Sequence, residues 1–90
     1  MKLIFCKKCG DLYKLSFDNC ICKCGATWGH YKEDGLHAVY GGQSAVPLGF
    51  TNASFINAIL FQPDAGPGER FEAFVISRVC TTMTFEDKVE

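Results

Sequence analysis

The sequence predicts a small α+β fold. An N-terminal module built on two cysteine turns continues into an antiparallel β-sheet with one packed α-helix. Three observations predict it. Five of the six cysteines fall between Cys6 and Cys24, in two glycine-closed turns. Short alternating apolar segments separated by turn residues read as strands. One later segment carries apolar side chains at helical spacing. Ninety residues, 48% hydrophobic and 21% charged, suit a single domain. No stretch approaches the roughly 18 apolar residues of a membrane span. The start, Met1 to Cys6, has neither the apolar run nor the cleavage site of a signal peptide. The expectation is therefore a cytoplasmic protein.

Leu3 and Phe5 alternate with Lys2 and Ile4, as in a short strand. Cys6-Lys-Lys-Cys9-Gly10 follows as a tight turn, and Leu12 to Phe17 reads as a second strand. Asp18-Asn19 signals a turn into Cys20-Ile-Cys22-Lys-Cys24-Gly25, a second cysteine turn. Trp28 to Glu33 and Leu36 to Tyr40 flank Asp34-Gly35, which predicts a hairpin with a two-residue type I′ turn. In that register Tyr31, Leu36, Ala38 and Tyr40 form a core face, and Trp28, His30, Lys32, His37 and Val39 form the opposite one. Gly41-Gly42 and Pro47-Leu48-Gly49 read as an irregular connection. A helix is predicted over 51–62, capped by Thr51 or Asn52, with Phe55, Ile56, Ile59 and Leu60 on its buried face and Pro63 ending it. Residues 64–68 form an exposed loop. Phe71 to Val79 reads as the best strand, with Phe71, Ala73, Val75 and Val79 inward. The tail from Thr81 is polar and expected to fray.

A chain this short often needs a staple, a disulfide or a metal. Without a signal peptide, clustered cysteines read as metal ligands. Zinc asks for four soft donors converging tetrahedrally. A Cys-x-x-Cys-Gly turn folds two thiolates to one side, and its glycine permits the sharp reversal that aims amides at sulfur. Cys6 and Cys9 meet that description, and Cys24-Gly25 repeats its closing half. For the fourth ligand, Cys20 and Cys22 both have workable spacing to Cys24, and His30 is a more distant competitor. Spacing alone leaves that choice open.

Phe5-Cys-Lys-Lys-Cys-Gly10 and Cys22-Lys-Cys24-Gly25 resemble the paired knuckles of zinc-ribbon proteins. The wider pattern, with Gly29-His30-Tyr31, the Asp34-Gly35 turn and Pro47 to Phe50, also resembles small uncharacterised bacterial and phage zinc-ribbon proteins. The resemblance implies a ribbon over 1–27, with hairpin, helix and strand over 28–80 and the polar tail over 81–90. It implies an accessory role without an assigned activity. Its second knuckle, Cys-x-Cys-Gly, selects Cys22 as the fourth ligand, with Cys20 as the alternative. Four cysteine ligands leave no open coordination position, so the expected zinc is structural.

Catalytic signatures are missing: the sequence has no Gly-x-Ser-x-Gly elbow, no phosphate loop and no His-Glu-x-x-His. Cys80 closes an apolar strand and reads as a core thiol. The expectation is a non-enzymatic protein that works by binding. Trp28, His30, Lys32 and His37 combine stacking surface, a cation and hydrogen-bond donors on one hairpin face, which suits a protein partner. The alternative is sequestration of a small anionic, nucleotide-like ligand at the helix N-terminus, near Asn52 with Arg70 or Arg78. Nucleic acid comes third. Residues 1–32 carry six lysines against two acids, a charge of +4, while residues 33–90 carry three cations against eight acids, a charge of −5. A homodimer that buries a strand edge or the hairpin stripe is a further expectation.

Overall fold

The structure, a computed structural model, describes residues 1–86. In chain order its elements are β1 (Lys2–Cys6), β2 (Leu12–Lys14), β3 (Cys20–Ile21), β4 (Trp28–Tyr31), β5 (Ala38–Gly41), β6 (Ala45–Phe50), α1 (Asn52–Leu60), β7 (Ala73–Val75) and β8 (Met83–Phe85). They form the α+β fold expected, arranged as two four-stranded sheets with strand orders β2-β1-β6-β7 and β3-β4-β5-β8. The strands of 1–27 are divided between them. β1 and β2 belong to the first sheet, and β3 belongs to the second, where it pairs with β4.

Ile4 of the first sheet meets Ala38 and Tyr40 of β5 and Met83 of β8, with Leu15 and Ile76 completing the core between them. Polar ties cross the same gap. The Lys2 amide donates to the Tyr31 hydroxyl, and the Lys2 ammonium group donates to the Leu36 carbonyl. Leu3 and Ile4 are both buried although they point to opposite faces of β1. The central strand is therefore covered on both sides.

Several expectations change. The segment read as irregular, 45–50, is β6, a strand between β1 and β7. Pro47 is tolerated there because its carbonyl, and hence its missing N–H, points toward β7, where the carbonyl accepts from the Ile76 amide. The β1–β6 ladder loses nothing. On the β7 side that missing donor coincides with the end of pairing, so the strand expected over 71–79 shrinks to Ala73–Val75. Its expected inward residues Phe71, Ala73, Val75 and Val79 are exposed, and Ile76 is the buried one. The helix begins one residue after Thr51, which caps it through the backbone without a side-chain bond. Phe55 packs with Phe50 and Phe71, but Ile56, Ile59 and Leu60 do not bury, and Ala58 is the helix's buried residue. The tail does not fray from Thr81. Met83–Phe85 pairs parallel with β5 and Met83 fills the core. Residues 87–90 of the expected polar tail lie outside the described residues. β2 is shorter than the Leu12–Phe17 strand expected, and past it Leu15 turns into the core while Phe17 is exposed.

The hairpin register is as the turn residues predicted, with His30 opposite Val39 and Tyr31 opposite Ala38. The turn itself differs. Asp34 keeps a negative φ, and Gly35 alone has a positive one, +69°. The Gly35 amide donates to the Lys32 carbonyl and the Lys32 amide to the His37 carbonyl, which makes a four-residue loop over 33–36. Leu36, expected in the core, is exposed in that loop, and Val39, expected on the opposite face, is buried. The same two bonds recur ten residues earlier, from Gly25 to Cys22 and from Cys22 to Thr27. Segments 21–30 and 31–40 are thus a tandem repeat of one hairpin unit, with Asp34 where the first unit has Cys24. Both provide a side-chain acceptor for backbone amides at the residue before the glycine.

Gly41 stands opposite Trp28. A Cβ on Gly41 would lie 2.3 Å from the indole Nε1 and 2.5 Å from the Glu86 carbonyl oxygen. Substituting alanine must lift the indole or part β8 from β5. Gly41→Ala is expected to cost about 1–3 kcal/mol, read as a lower urea midpoint at unchanged slope. An unchanged midpoint would show that Trp28 does not lie over this glycine.

Candidate metal centre

Each knuckle caps a hairpin of a different sheet. In the first, β1 ends at the fully buried Cys6, the Gly10 amide returns to the Cys6 carbonyl at 2.8 Å, and the Cys6 amide donates to the Asp11 carbonyl at 2.8 Å. Gly10 takes φ +77°, a value that costs other residues dearly. In the second, Gly25 takes φ +80° between Cys24 and Ala26. The Asp11 carboxylate accepts from the Lys23 amide at 3.1 Å and so ties one knuckle to the other.

The result is four thiols in one place. The sulfurs of Cys6, Cys9, Cys22 and Cys24 all lie within 4.8 Å of one another. Cys22 and Cys24 are 3.5 Å apart, and Cys6 and Cys24 3.8 Å. A tetrahedron with sulfurs about 2.3 Å from a central ion has edges of about 3.8 Å, so the spacing suits a metal ion. Cys6 and Cys22 approach from the interior, Cys9 and Cys24 from the surface. Cys20, the alternative ligand, lies apart on β3. Its sulfur sits against the Asp18 carbonyl and the Ser16 hydroxyl, and the residue packs on the core.

The thiols differ electrostatically. Burial opposes ionisation of Cys22, but the Thr27 hydroxyl and amide, then the neighbouring thiols, donate to its sulfur and bring its pKa to about 5. The Asp11 amide similarly lowers Cys9. Cys24 receives the Ala26 amide, which lowers it, yet burial and its three thiol neighbours outweigh that and raise it to about 11. Without a cation, four thiolates at this distance repel one another, and the cluster retains protons. A bound divalent ion displaces them.

Behind Cys22 stands a donor chain that sequence reasoning missed. Burial pushes the Tyr13 phenol up to about 12, so it stays protonated, and its hydroxyl lies 2.9 Å from that of the fully buried Thr27. Thr27 in turn bonds the Cys22 sulfur, its amide at 3.3 Å. Such partners hold a ligand's orientation and charge. The available signal was the threonine two residues past Cys24-Gly25.

The other candidate residues divide into groups. Trp28 and His30 stack, ring centroids 5.9 Å apart, beside exposed Lys32. His30 Nδ1 meets the side-chain oxygen Oδ1 of Asn19 at 3.0 Å. His30 and Lys32 also line a shallow depression with Tyr31, Glu33 and Asp34. His37 is occupied locally, its ring bonded to the Asp34 carboxylate. The Asn52 side chain accepts from the N-terminal ammonium group. Arg70 and Arg78 are both exposed, Arg70 just beyond the 64–68 loop and Arg78 after β7. The cleft beside α1, lined by Phe55, Ala58, Ile59, Pro63 and Glu69 among others, includes none of Asn52, Arg70 and Arg78. Among the described residues, no helix is long and apolar enough to cross a membrane.

Comparison with protein-family models, with curated proteins and with solved structures finds no match to this chain. The cysteine cluster itself defines the class, a small α+β protein with a ribbon-like four-cysteine centre.

Two outcomes follow from the geometry. Cys22→Ser should strip bound metal to below about a tenth of stoichiometric, whereas Cys20→Ser should retain it, as read by elemental mass spectrometry after dialysis; the reverse order would exchange the two roles. The Asp34 carboxyl is held near pKa 2 by the His37 and Leu36 amides and then by the His37 ring. A depressed carboxyl stabilises the fold above its unfolded value, about 4, and that contribution is lost as pH falls through about 2. Carboxyl NMR should place the Asp34 midpoint near 2; a midpoint near 4 would remove these bonds from solution.

Proposed function

We propose that this chain is a non-catalytic, zinc-stapled module that binds another protein through its 28–40 hairpin. The observation that carries the zinc assignment is the convergence of four thiols with no other donor among the clustered groups. Four sulfur ligands of this softness suit zinc, and a closed tetrahedral set leaves no position for substrate. The ion is then structural. It fastens a hairpin of one sheet to a hairpin of the other, which a core of this size leaves under-stabilised.

The binding reading rests on the stacked Trp28–His30 pair and exposed Lys32 beside the shallow depression. An aromatic surface with a cation and hydrogen-bonding groups is the composition of an interface anchor. Trp28 also packs over Gly41, so it serves the fold as well, and His30 and Lys32 are the cleaner probes. Nucleic acid is less favoured. Lys7, Lys8 and Lys23 stand at the knuckle tips, but four thiolates around a divalent ion carry −2 and offset much of that charge.

The zinc-loaded chain should capture a defined partner from lysate of its source cells, and the His30→Ala/Lys32→Glu variant should lose it while keeping full zinc content. Equal capture by both proteins would overturn the hairpin as the binding face. Zinc content below one ion per chain would overturn the staple.

A further inference from the structure

From the helix face left uncovered, we propose that two copies of this chain associate through α1, on a two-fold axis near Leu60. This goes beyond the hairpin reading and uses a different surface. Ile56, Ile59, Leu60 and Phe61 are 52, 54, 74 and 67% exposed. The first three form an i, i+3, i+4 stripe, the pattern of a helix face that seeks an apolar partner. Within the described chain these side chains stay more than half exposed, Ile59 at the edge of the cleft beside α1. Such a patch on a small protein marks an interaction surface.

Three observations identify the occupant as a second copy. The first is charge. No Asp, Glu, Lys or Arg stands between Asp34 and Asp64, so the stripe itself carries no charged side chain; the charged groups beside it lie at its margins, the N-terminal ammonium group on Asn52 and Asp64 and Glu69 along the cleft. On a two-fold axis each side chain approaches its own twin, and any charge there would meet its like. An uncharged face pairs with itself without that cost. It also offers nothing for the complementary charges by which foreign partners are steered and selected.

The second is area. Taking roughly 180 Å² as the full area of a large apolar residue, the four side chains present about 450 Å². A standard interface buries about 800 Å² per partner, a little over half of it apolar. That is close to the same figure, with Asn57 and Gln62 available for the polar rim. The third is shape. The radius of gyration is 14.4 Å and the extents are 47 × 29 × 23 Å, whereas a compact chain of this length would have a radius near 12 Å. The chain is elongated, and so leaves more of its surface open to a partner than a compact chain of its length would.

Sedimentation equilibrium of the zinc-loaded full chain tests this at concentrations up to about 100 μM. The wild type should run at twice its 10.0 kDa chain mass, and Leu60→Glu and Leu60→Lys should each run as monomers with unchanged zinc content and circular dichroism. Mixing the two variants should restore the dimer, because opposite charges then meet at the axis. A monomeric wild type would overturn the proposal, as would a dimer indifferent to Leu60→Glu or a mixture that stays monomeric. The His30→Ala/Lys32→Glu variant should remain dimeric; its dissociation would move the interface to the hairpin and overturn the α1 assignment. Loss of partner capture without loss of the dimer concerns the hairpin alone, so the two readings fail separately.

Discussion

Everything else in this fold is arranged around the meeting of Cys6 and Cys9 with Cys22 and Cys24. The pairs belong to different sheets, and the core between those sheets is built on six buried side chains. Around that junction the local chemistry is consistent: a glycine reverses the chain after Cys9 and after Cys24, the Asp11 carboxylate clasps the second knuckle, and Thr27 donates to Cys22. Each device either brings sulfur closer to sulfur or makes a thiolate less costly to bury. The hairpin face lies on β4, which leads out of the second turn, and α1 follows β6, which pairs with the strand that leads into the first.

What could be read from the sequence was what short-range geometry controls. Cysteine spacing with a following glycine identified Cys6, Cys9 and Cys24 because the turn needs those residues within a few positions of one another. The Asp34-Gly35 pair likewise fixed the register of β4 and β5, even though the loop closed with a different turn. Long-range pairing was not legible. β6 carries Pro47 and Gly49, which argue against a central strand until one knows that the proline nitrogen faces the end of the β7 ladder. β8 pairs in parallel with a strand over forty residues earlier, and nothing local announces that. The α1 stripe was recognised as apolar, but helical periodicity says only that a face wants cover. It does not say whether this chain supplies it.

The repeated hairpin unit shows how one backbone solution serves two purposes. In 21–30 the residue before glycine is Cys24 and its sulfur joins the four-cysteine cluster. In 31–40 it is Asp34, whose carboxylate accepts the Leu36 and His37 amides. Sulfur and carboxylate both answer the same need, an acceptor facing the amides of a tight reversal. One copy directs its acceptor to a shared centre, and the other spends it on the turn itself. The second copy therefore holds its shape without an ion, and the Trp28–His30 stack lies on the strand between the two.

The parallel pairing of β5 with β8 has a consequence for the order in which the chain assembles during synthesis. Both knuckles are complete once residue 27 has emerged, and their contacts are local, so they can form early. The second sheet cannot: Met83 fills the core against Ala38 and Tyr40, and the cavity it occupies stays open until that residue too has left the ribosome. Through that interval the nascent chain has its cysteine turns in place and an unfinished interior. A protein built this way gains its first rigid landmark from local turn chemistry and its cooperativity from a side chain made more than fifty residues later.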